Sequence, residues 1–81
     1  MFKNKHKQNN NICGINIANM RKAMQPKVSQ RALADKMQIN EIDIDKNAIQ
    51  RIESGKRFVT DIELSAFAKI FKVTADNLLK E

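Results

Sequence analysis

Apolar residues along most of this chain are spaced three or four positions apart, which places them on one face of an α-helix. The first such series consists of Ile17, Met20 and Met24. Pro26 ends it, because proline lacks the backbone N–H that a helix interior requires. The pattern therefore predicts a first helix over residues 14–24.

A second helix is predicted over residues 30–37. Ser29 is a favourable N-cap residue, since its hydroxyl oxygen can accept a hydrogen bond from a backbone N–H of the first turn. Leu33, Ala34 and Met37 form the apolar stripe of this helix. Its charged positions fall on the opposite side and should face solvent.

The third predicted helix covers residues 46–54. Asp45 fits its N-cap. Gly55 fits its end, where the chain commonly adopts a left-handed conformation that glycine tolerates. Ile49 and Ile52 should face the interior of the domain.

Residues 38–45, with the sequence QINEIDID, are less regular. Ile39, Ile42 and Ile44 alternate imperfectly with acidic residues, so the segment could be a short extended stretch or an irregular loop. A strand is the weaker alternative, because no other part of the chain alternates over enough residues to pair with it.

Two further helices are predicted in the last third of the chain. Thr60 followed by Glu63 is a capping box, which starts the fourth helix. Thr74 can cap a short fifth helix. The residues predicted to be buried are Ile62, Leu64, Phe67, Ala68 and Phe71 in the fourth helix and Leu78 and Leu79 in the fifth.

Five short helices without repeats or linkers predict one compact all-α domain over residues 12–81. A chain of 81 residues leaves no room for a second domain. Residues 1–11 lack apolar periodicity and are too polar to offset the entropy of ordering them, so we expect a mobile basic arm.

The composition excludes several functional classes. Cys13 and His6 are the only residues of their types, so the chain can form neither an internal disulfide nor the ligand set of a zinc finger. Cys13 is expected to be a small packing residue rather than a redox switch. No nucleophile, base and orienting group occur together, and no glycine-rich phosphate loop is present. We therefore expect no enzymatic activity, no cofactor and no small-molecule substrate.

The hydropathy pattern contains no continuous apolar run of about 18 residues and no secretion signal. We expect no membrane span, and a reducing cytoplasm is the compartment that fits a single unpaired cysteine.

Basic residues are concentrated near the N-terminus. Residues 1–31 contain seven lysines and arginines and no acidic residue, whereas residues 32–81 contain eight basic and nine acidic residues. A basic excess favours a polyanionic partner, either nucleic acid or an anionic membrane surface.

A helical wheel of the third helix separates its apolar side from a polar side that carries Lys46, Asn47, Gln50 and Arg51. Amide side chains can pair with adenine through two hydrogen bonds, and a guanidinium can pair with guanine in the same way. This face could therefore read DNA bases, although an ordinary solvated helix face has a similar composition.

The segments SQRALADKMQ, NAIQRIESGKR and LSAFAKIFKVTADNLL together resemble the Cro and lambda-repressor-like helix-turn-helix family, also called the XRE family. The resemblance extends from about Gly14 to Leu79. It depends on the register of a series of residues, which are Ser29, Gln30, Leu33, Ala34, Ile49, Arg51, Ile52, Glu53, Gly55, Lys56, Leu64, Ala68 and Leu78. It implies a five-helix DNA-binding domain whose third helix enters the major groove.

The resemblance also implies a role for individual residues. Gln30 matches a residue that touches the phosphate backbone and braces the recognition helix, and Arg21 and Glu53 match a structural ion pair, although they could be two unrelated surface charges. The residues that match base-reading positions are Lys46, Asn47, Gln50 and Arg51. The residues expected at DNA phosphates are Ser29, Gln30, Arg31, Lys56 and Arg57.

The chain departs from the family in the turn between its second and third helices. That turn usually has three or four residues, whereas QINEIDI separates Met37 from Asp45 here. The lengthened turn brings Glu41, Asp43 and Asp45 near the expected DNA face, where carboxylates would repel phosphates. We therefore expect the turn to fold away from that face, with its isoleucines in the core. It leaves the expected fold intact but weakens the assignment of base contacts.

The function that the resemblance implies is sequence-specific binding of double-stranded DNA by a transcriptional regulator of the repressor type. A homodimer on a pseudo-palindromic operator is expected, because one small domain contacts few base pairs. The basic arm could add salt-sensitive affinity or serve only as a solubilising tail. The alternative function is a protein-interaction module, such as an antitoxin or adaptor, with the same fold.

Overall fold

The computed structural model describes residues 9–81, and residues 1–8 of the predicted arm lie outside the described residues. All regular elements between residues 9 and 81 are helices, which confirms the predicted five-helix all-α fold. Their bounds are α1 Gly14–Ala23, α2 Gln30–Ile39, α3 Lys46–Glu53, α4 Asp61–Phe71 and α5 Ala75–Leu78. None of these helices has the length and apolar character needed to cross a bilayer.

Four of the five helices begin at the N-cap residue that the sequence predicted. The side-chain oxygens of Ser29, Asp45, Thr60 and Thr74 each accept a hydrogen bond from the backbone N–H three residues later. In α4 the carboxylate of Glu63 also accepts from the backbone N–H of Thr60 at 3.1 Å, which completes the predicted capping box. These four caps therefore fix the residues at which α2 to α5 begin.

Helices α2, α3 and α4 end in the same way. A residue in the left-handed conformation is followed by a residue whose backbone N–H bonds back to a carbonyl of the helix. The residues concerned are Glu41, Gly55 and Lys72, with φ of 66°, 81° and 59°. After each, the next backbone N–H bonds to a carbonyl five residues earlier, as in the Schellman motif. The sequence predicted only Gly55, because glycine alone signals this conformation by its residue type.

The core lies between α1, α2, α3 and α4 and is closed by α5. Its fully buried large side chains are Ile17, Leu33, Met37, Ile49, Ile52, Phe67 and Leu78. The predictions for Ile62 and Leu79 are wrong, since 67% and 41% of these residues are exposed. In each case an adjacent residue faces inward instead, Glu63 after Ile62 and Leu78 before Leu79, because adjacent helical positions differ in direction by about 100°.

The connector between α2 and α3 is an irregular loop rather than a strand. The prediction that its isoleucines join the core is correct for Ile44, which is buried, and for Ile42, which packs against the core. It is wrong for Ile39, which is 81% exposed. Helix α2 continues through Ile39, and this position points away from the stripe formed by Leu33 and Met37.

Residues 9–11 pack on the domain, although the sequence placed them in the arm. The Asn10 backbone N–H donates to the carbonyl of Gly55 at 2.7 Å, and the Asn11 amide donates to the carbonyl of Ile52 at 3.0 Å. The Asn11 side-chain oxygen accepts from the Gly14 N–H at 2.8 Å, which supplies the start of α1 with a cap. The packed part of the chain therefore begins before the predicted boundary at residue 12.

Helix α1 meets the end of α3 so closely that only glycine fits at its first position. A Cβ atom at residue 14 would overlap the carbonyl oxygen of Ile52. The atom it meets belongs to the backbone of α3 and cannot rotate away. Gly14 is thus required by the contact between two helices, not by a turn.

We predict that Gly14→Ala destabilises the domain by about 1–3 kcal/mol, the usual cost of overfilling a packed contact. Urea denaturation followed by circular dichroism measures this difference in the free energy of unfolding. Asn19→Ala, at an exposed position of the same helix, is the matched control and should change the stability little or raise it. Equal effects of the two substitutions would contradict the proposed steric role.

Candidate nucleic-acid interface

The outer face of α3 is polar and open to solvent. Lys46, Asn47, Gln50 and Arg51 are all exposed, whereas Ala48, Ile49 and Ile52 on the opposite side are buried. Among residues 9–81, none of the four exposed side chains forms a hydrogen bond or an ion pair. The structure thus brings the four sequence-predicted base-reading residues to one continuous surface whose donors and acceptors are available to a ligand.

The orientation of this face is set by a cluster of polar side chains at the end of α3. The Arg21 guanidinium donates to both carboxylate oxygens of Glu53, at 2.7 and 3.0 Å, so the ion pair that the resemblance implied is formed. Arg21 also donates to the carbonyl of Val28 at 3.0 Å. The side chains of Arg21 and Glu53 are only 12% and 7% exposed, and the hydrogen bond with Glu53 raises the pKa of Arg21.

Gln30 joins the same cluster from the first turn of α2. Its side-chain amide donates to Glu53 at 3.0 Å, so Glu53 accepts hydrogen bonds from both α1 and α2. This contact corresponds to the bracing role implied for Gln30. One amide hydrogen of Gln30 remains for a further acceptor, since an NH₂ group has two.

The first turn of α2 presents two more of the predicted phosphate contacts. Ser29 is exposed, and its oxygen accepts from the backbone N–H of Ala32 at 3.0 Å, which leaves the hydroxyl hydrogen available to donate. Arg31 is exposed on the same turn. Ser29, Gln30 and Arg31 are therefore consecutive donors at a helix end that lies beside the end of α3.

The loop after α3 separates the two remaining predicted phosphate contacts. Lys56 is exposed, and its side chain forms no hydrogen bond or ion pair within residues 9–81. Arg57, in contrast, holds Glu63 through two hydrogen bonds of 2.9 and 3.0 Å. Its guanidinium thereby supports the capping box of α4, so the structure gives Arg57 a partner within the domain where the resemblance suggested a phosphate.

Two polar residues that the sequence did not single out also reach this loop. The side-chain amide of Asn10 donates to the carbonyl of Lys56 at 2.8 Å, and that of Asn11 donates to the carbonyl of Arg57 at 2.7 Å. These contacts span 46 positions in the sequence. No local pattern could have indicated them, because asparagines in a polar segment are also typical of an unstructured arm.

The acidic residues of the α2–α3 connector differ in their roles. Asp45 caps α3 by accepting from the backbone N–H of Ala48 at 2.9 Å. Glu41 and Asp43 are exposed. The side-chain amide of Gln38 donates to the carbonyl of Ile44 at 3.0 Å and holds the connector where it enters α3.

The described residues offer neither a reactive thiol nor a metal site. Cys13 is buried, and desolvation raises the pKa of its thiol to about 11, so the thiol is protonated at neutral pH and packs as a small apolar group. Within residues 9–81, no group of histidine, cysteine or acidic side chains could hold a metal ion.

A family model described as helix-turn-helix matches residues 17–78 of the chain. This range contains α2 to α5 and most of α1, and therefore the whole of the exposed α3 face. No curated protein and no solved structure matches the chain significantly.

The ion pair between Arg57 and Glu63 should make the free energy of unfolding depend on pH. Hydrogen bonding to Arg57 is the main cause of a lowered pKa for Glu63 in the folded protein. A carboxyl whose pKa is lowered by folding stabilises the protein above its unfolded pKa and loses that contribution as the pH falls through the folded pKa. Glu63→Gln keeps a side chain that can complete the capping box but removes the charge.

We therefore predict that Glu63→Gln lowers the free energy of unfolding by about 1–3 kcal/mol near pH 7, the range for charged hydrogen bonds. The difference from the wild type should shrink steadily below about pH 4.5, near the ordinary pKa of glutamate. Urea denaturation at a series of pH values measures it, with Asp61→Asn in the same turn as the control. A difference that does not change with pH would contradict the proposed ion pair.

Proposed function

Since the chain belongs to the helix-turn-helix family of DNA-binding transcription regulators, related to Cro and lambda repressor, we propose that it binds one specific double-stranded DNA sequence and represses transcription there. The observation that carries this proposal is the exposed face of α3, with four polar side chains that have no partner within residues 9–81. A face of this kind fits the major groove, which admits one α-helix.

We propose that Asn47, Gln50 and Arg51 read base edges. The two amides suit adenine, which offers a donor and an acceptor side by side, and the guanidinium suits guanine, which offers two acceptors. Lys46, at the start of α3, can reach either guanine or a phosphate. Each well-formed pair of hydrogen bonds discriminates against a wrong base by about 1–3 kcal/mol.

The proposed phosphate contacts lie on both sides of this face. Ser29, Gln30 and Arg31 extend from the first turn of α2, and Lys56 extends from the loop after α3. Contacts of this kind fix the position of the reading helix but carry no sequence information themselves. Arg57 is not one of the proposed phosphate contacts, because its guanidinium is paired with Glu63.

The basic arm is proposed to add affinity without specificity. Its lysines are Lys3, Lys5 and Lys7, and the chain that follows them is hydrogen-bonded to the loop containing Lys56. The arm is thus joined to the domain beside a proposed phosphate contact. Neutralising phosphates releases counterions, so binding through the arm should weaken as salt rises.

We propose that two copies of the chain bind together on a pseudo-palindromic operator. Helix α3 has 8 residues, of which four face outward, and one such helix can specify only a few base pairs. A symmetric pair of half-sites about one helical turn apart doubles the number of specified bases. Repression then requires only that the bound dimer exclude other proteins from the same DNA.

Selection from a random duplex pool tests this function directly. We expect the bound fraction to be enriched in an inverted repeat whose half-sites have centres about 10 base pairs apart. Enrichment of a single half-site would contradict the dimer but keep base reading. No enrichment, with binding that is indifferent to salt, would instead support a protein-interaction module such as an antitoxin or adaptor.

Alanine variants separate base reading from phosphate contact. Asn47→Ala and Arg51→Ala should each relax the preference at one position of the half-site by about 1–3 kcal/mol. Lys56→Ala should weaken binding to all sequences alike and reduce the slope of log affinity against log salt by about 0.9. Lys69→Ala, at an exposed lysine of α4, is the control for charge. Equal and sequence-independent losses in all the variants would argue against base reading by α3.

A further inference from the structure

The loop that carries Lys56 is held from outside the helix-turn-helix. Three backbone carbonyls of the loop, those of Gly55, Lys56 and Arg57, accept hydrogen bonds from Asn10 or Asn11. The distances are 2.7, 2.8 and 2.7 Å. These bonds fix the orientation of consecutive peptide groups, and the direction in which a side chain leaves the backbone follows from that orientation.

The two asparagines contribute differently. Asn11 contacts Ile52 in α3 and also accepts from the Gly14 N–H, so it joins α1 to α3 and supports the fold. Within the part of the chain that the structure describes, the side chain of Asn10 donates only to the carbonyl of Lys56, at 2.8 Å. Asn10 is therefore the residue whose side chain acts on the loop alone.

A second observation separates Asn10 from an ordinary stabilising residue. The side-chain oxygen of Asn10 is buried and accepts no hydrogen bond among the described residues. An unpaired buried acceptor costs at least as much stability as one typical hydrogen bond contributes. The side chain of Asn10 thus adds little net stability, while its amide still fixes the peptide group that follows Lys56.

We propose that Asn10 is a positioning residue for DNA binding, which orients the Gly55–Arg57 loop so that Lys56 meets a phosphate. This inference rests on the proposed function. It extends the DNA-binding apparatus to a residue that lies before α1 and outside the matched range of 17–78. Asn10 itself does not touch DNA in this proposal, and its effect on affinity passes through Lys56.

A double-mutant cycle with Lys56 tests this coupling. The probe is a duplex of about 30 base pairs that carries the sequence enriched by selection, long enough for two half-sites. Affinity is measured over a range of salt concentrations for the wild type, Asn10→Ala, Lys56→Ala and the double variant. Asn10→Leu, which keeps the branching of the side chain without a donor, and Asn19→Ala, at an exposed asparagine of α1, are the controls.

We expect Asn10→Ala and Asn10→Leu each to weaken binding about 3- to 10-fold and to lower the salt slope by up to about 0.9, the contribution of one phosphate contact. In the Lys56→Ala background, Asn10→Ala should have little further effect, because the contact that it supports is already gone. The melting temperature should change by less than about 4 °C, because the side chain of Asn10 adds little net stability. Asn19→Ala should bind like the wild type.

Three results would overturn the inference. They are an unchanged affinity in Asn10→Ala, an unchanged salt slope, and losses that add independently in the double variant. Binding as tight as that of the wild type in Asn10→Leu would also overturn the inference. The packing of the side chain, and not its hydrogen bond to the carbonyl of Lys56, would then be what matters. A wild-type protein that fails to bind duplex DNA contradicts the proposed function, whereas a wild type that depends on Lys56 but not on Asn10 contradicts this inference alone.

Discussion

The carboxylate of Glu53 is the group on which the arrangement of the first three helices depends. It accepts two hydrogen bonds from Arg21 in α1 and one from Gln30 in α2, while it is itself part of α3. A carboxylate with only 7% of its side chain exposed is costly to bury unless its oxygens are paired. Its hydrogen bonds constrain the relative positions of the three helices, and therefore the direction in which the outer face of α3 points.

The backbone at the end of α3 is constrained by two glycines. Gly14 brings α1 against the carbonyl of Ile52, and Gly55 allows the left-handed turn that ends α3. Asn11 satisfies carbonyls on both sides of that turn. The surface proposed to read bases thus lies on a short helix whose exit is held by side-chain and backbone contacts from α1 and from the residues before it.

The local signals in the sequence were sufficient for the helices and for the exposure of the α3 face. Capping residues and apolar spacing fixed where α2 to α5 begin, because each cap acts within three residues of its own position. These local signals were insufficient where the surroundings of a side chain depend on how the helices pack against one another. Ile62 and Ile39 fit apolar patterns but lie in solvent, and Arg57 fits a phosphate contact but binds Glu63.

The sequence by itself determined the fold class, the helix starts and the polar side chains of α3, since all of these follow from periodicity, capping and residue type. Only the tertiary structure decided which polar groups meet across the fold. Asn10 and Asn11 read as part of an arm, yet they bind carbonyls 41 to 46 positions away. Such contacts depend on where the end of α3 lies after packing, and no pattern within one segment of the chain contains that information.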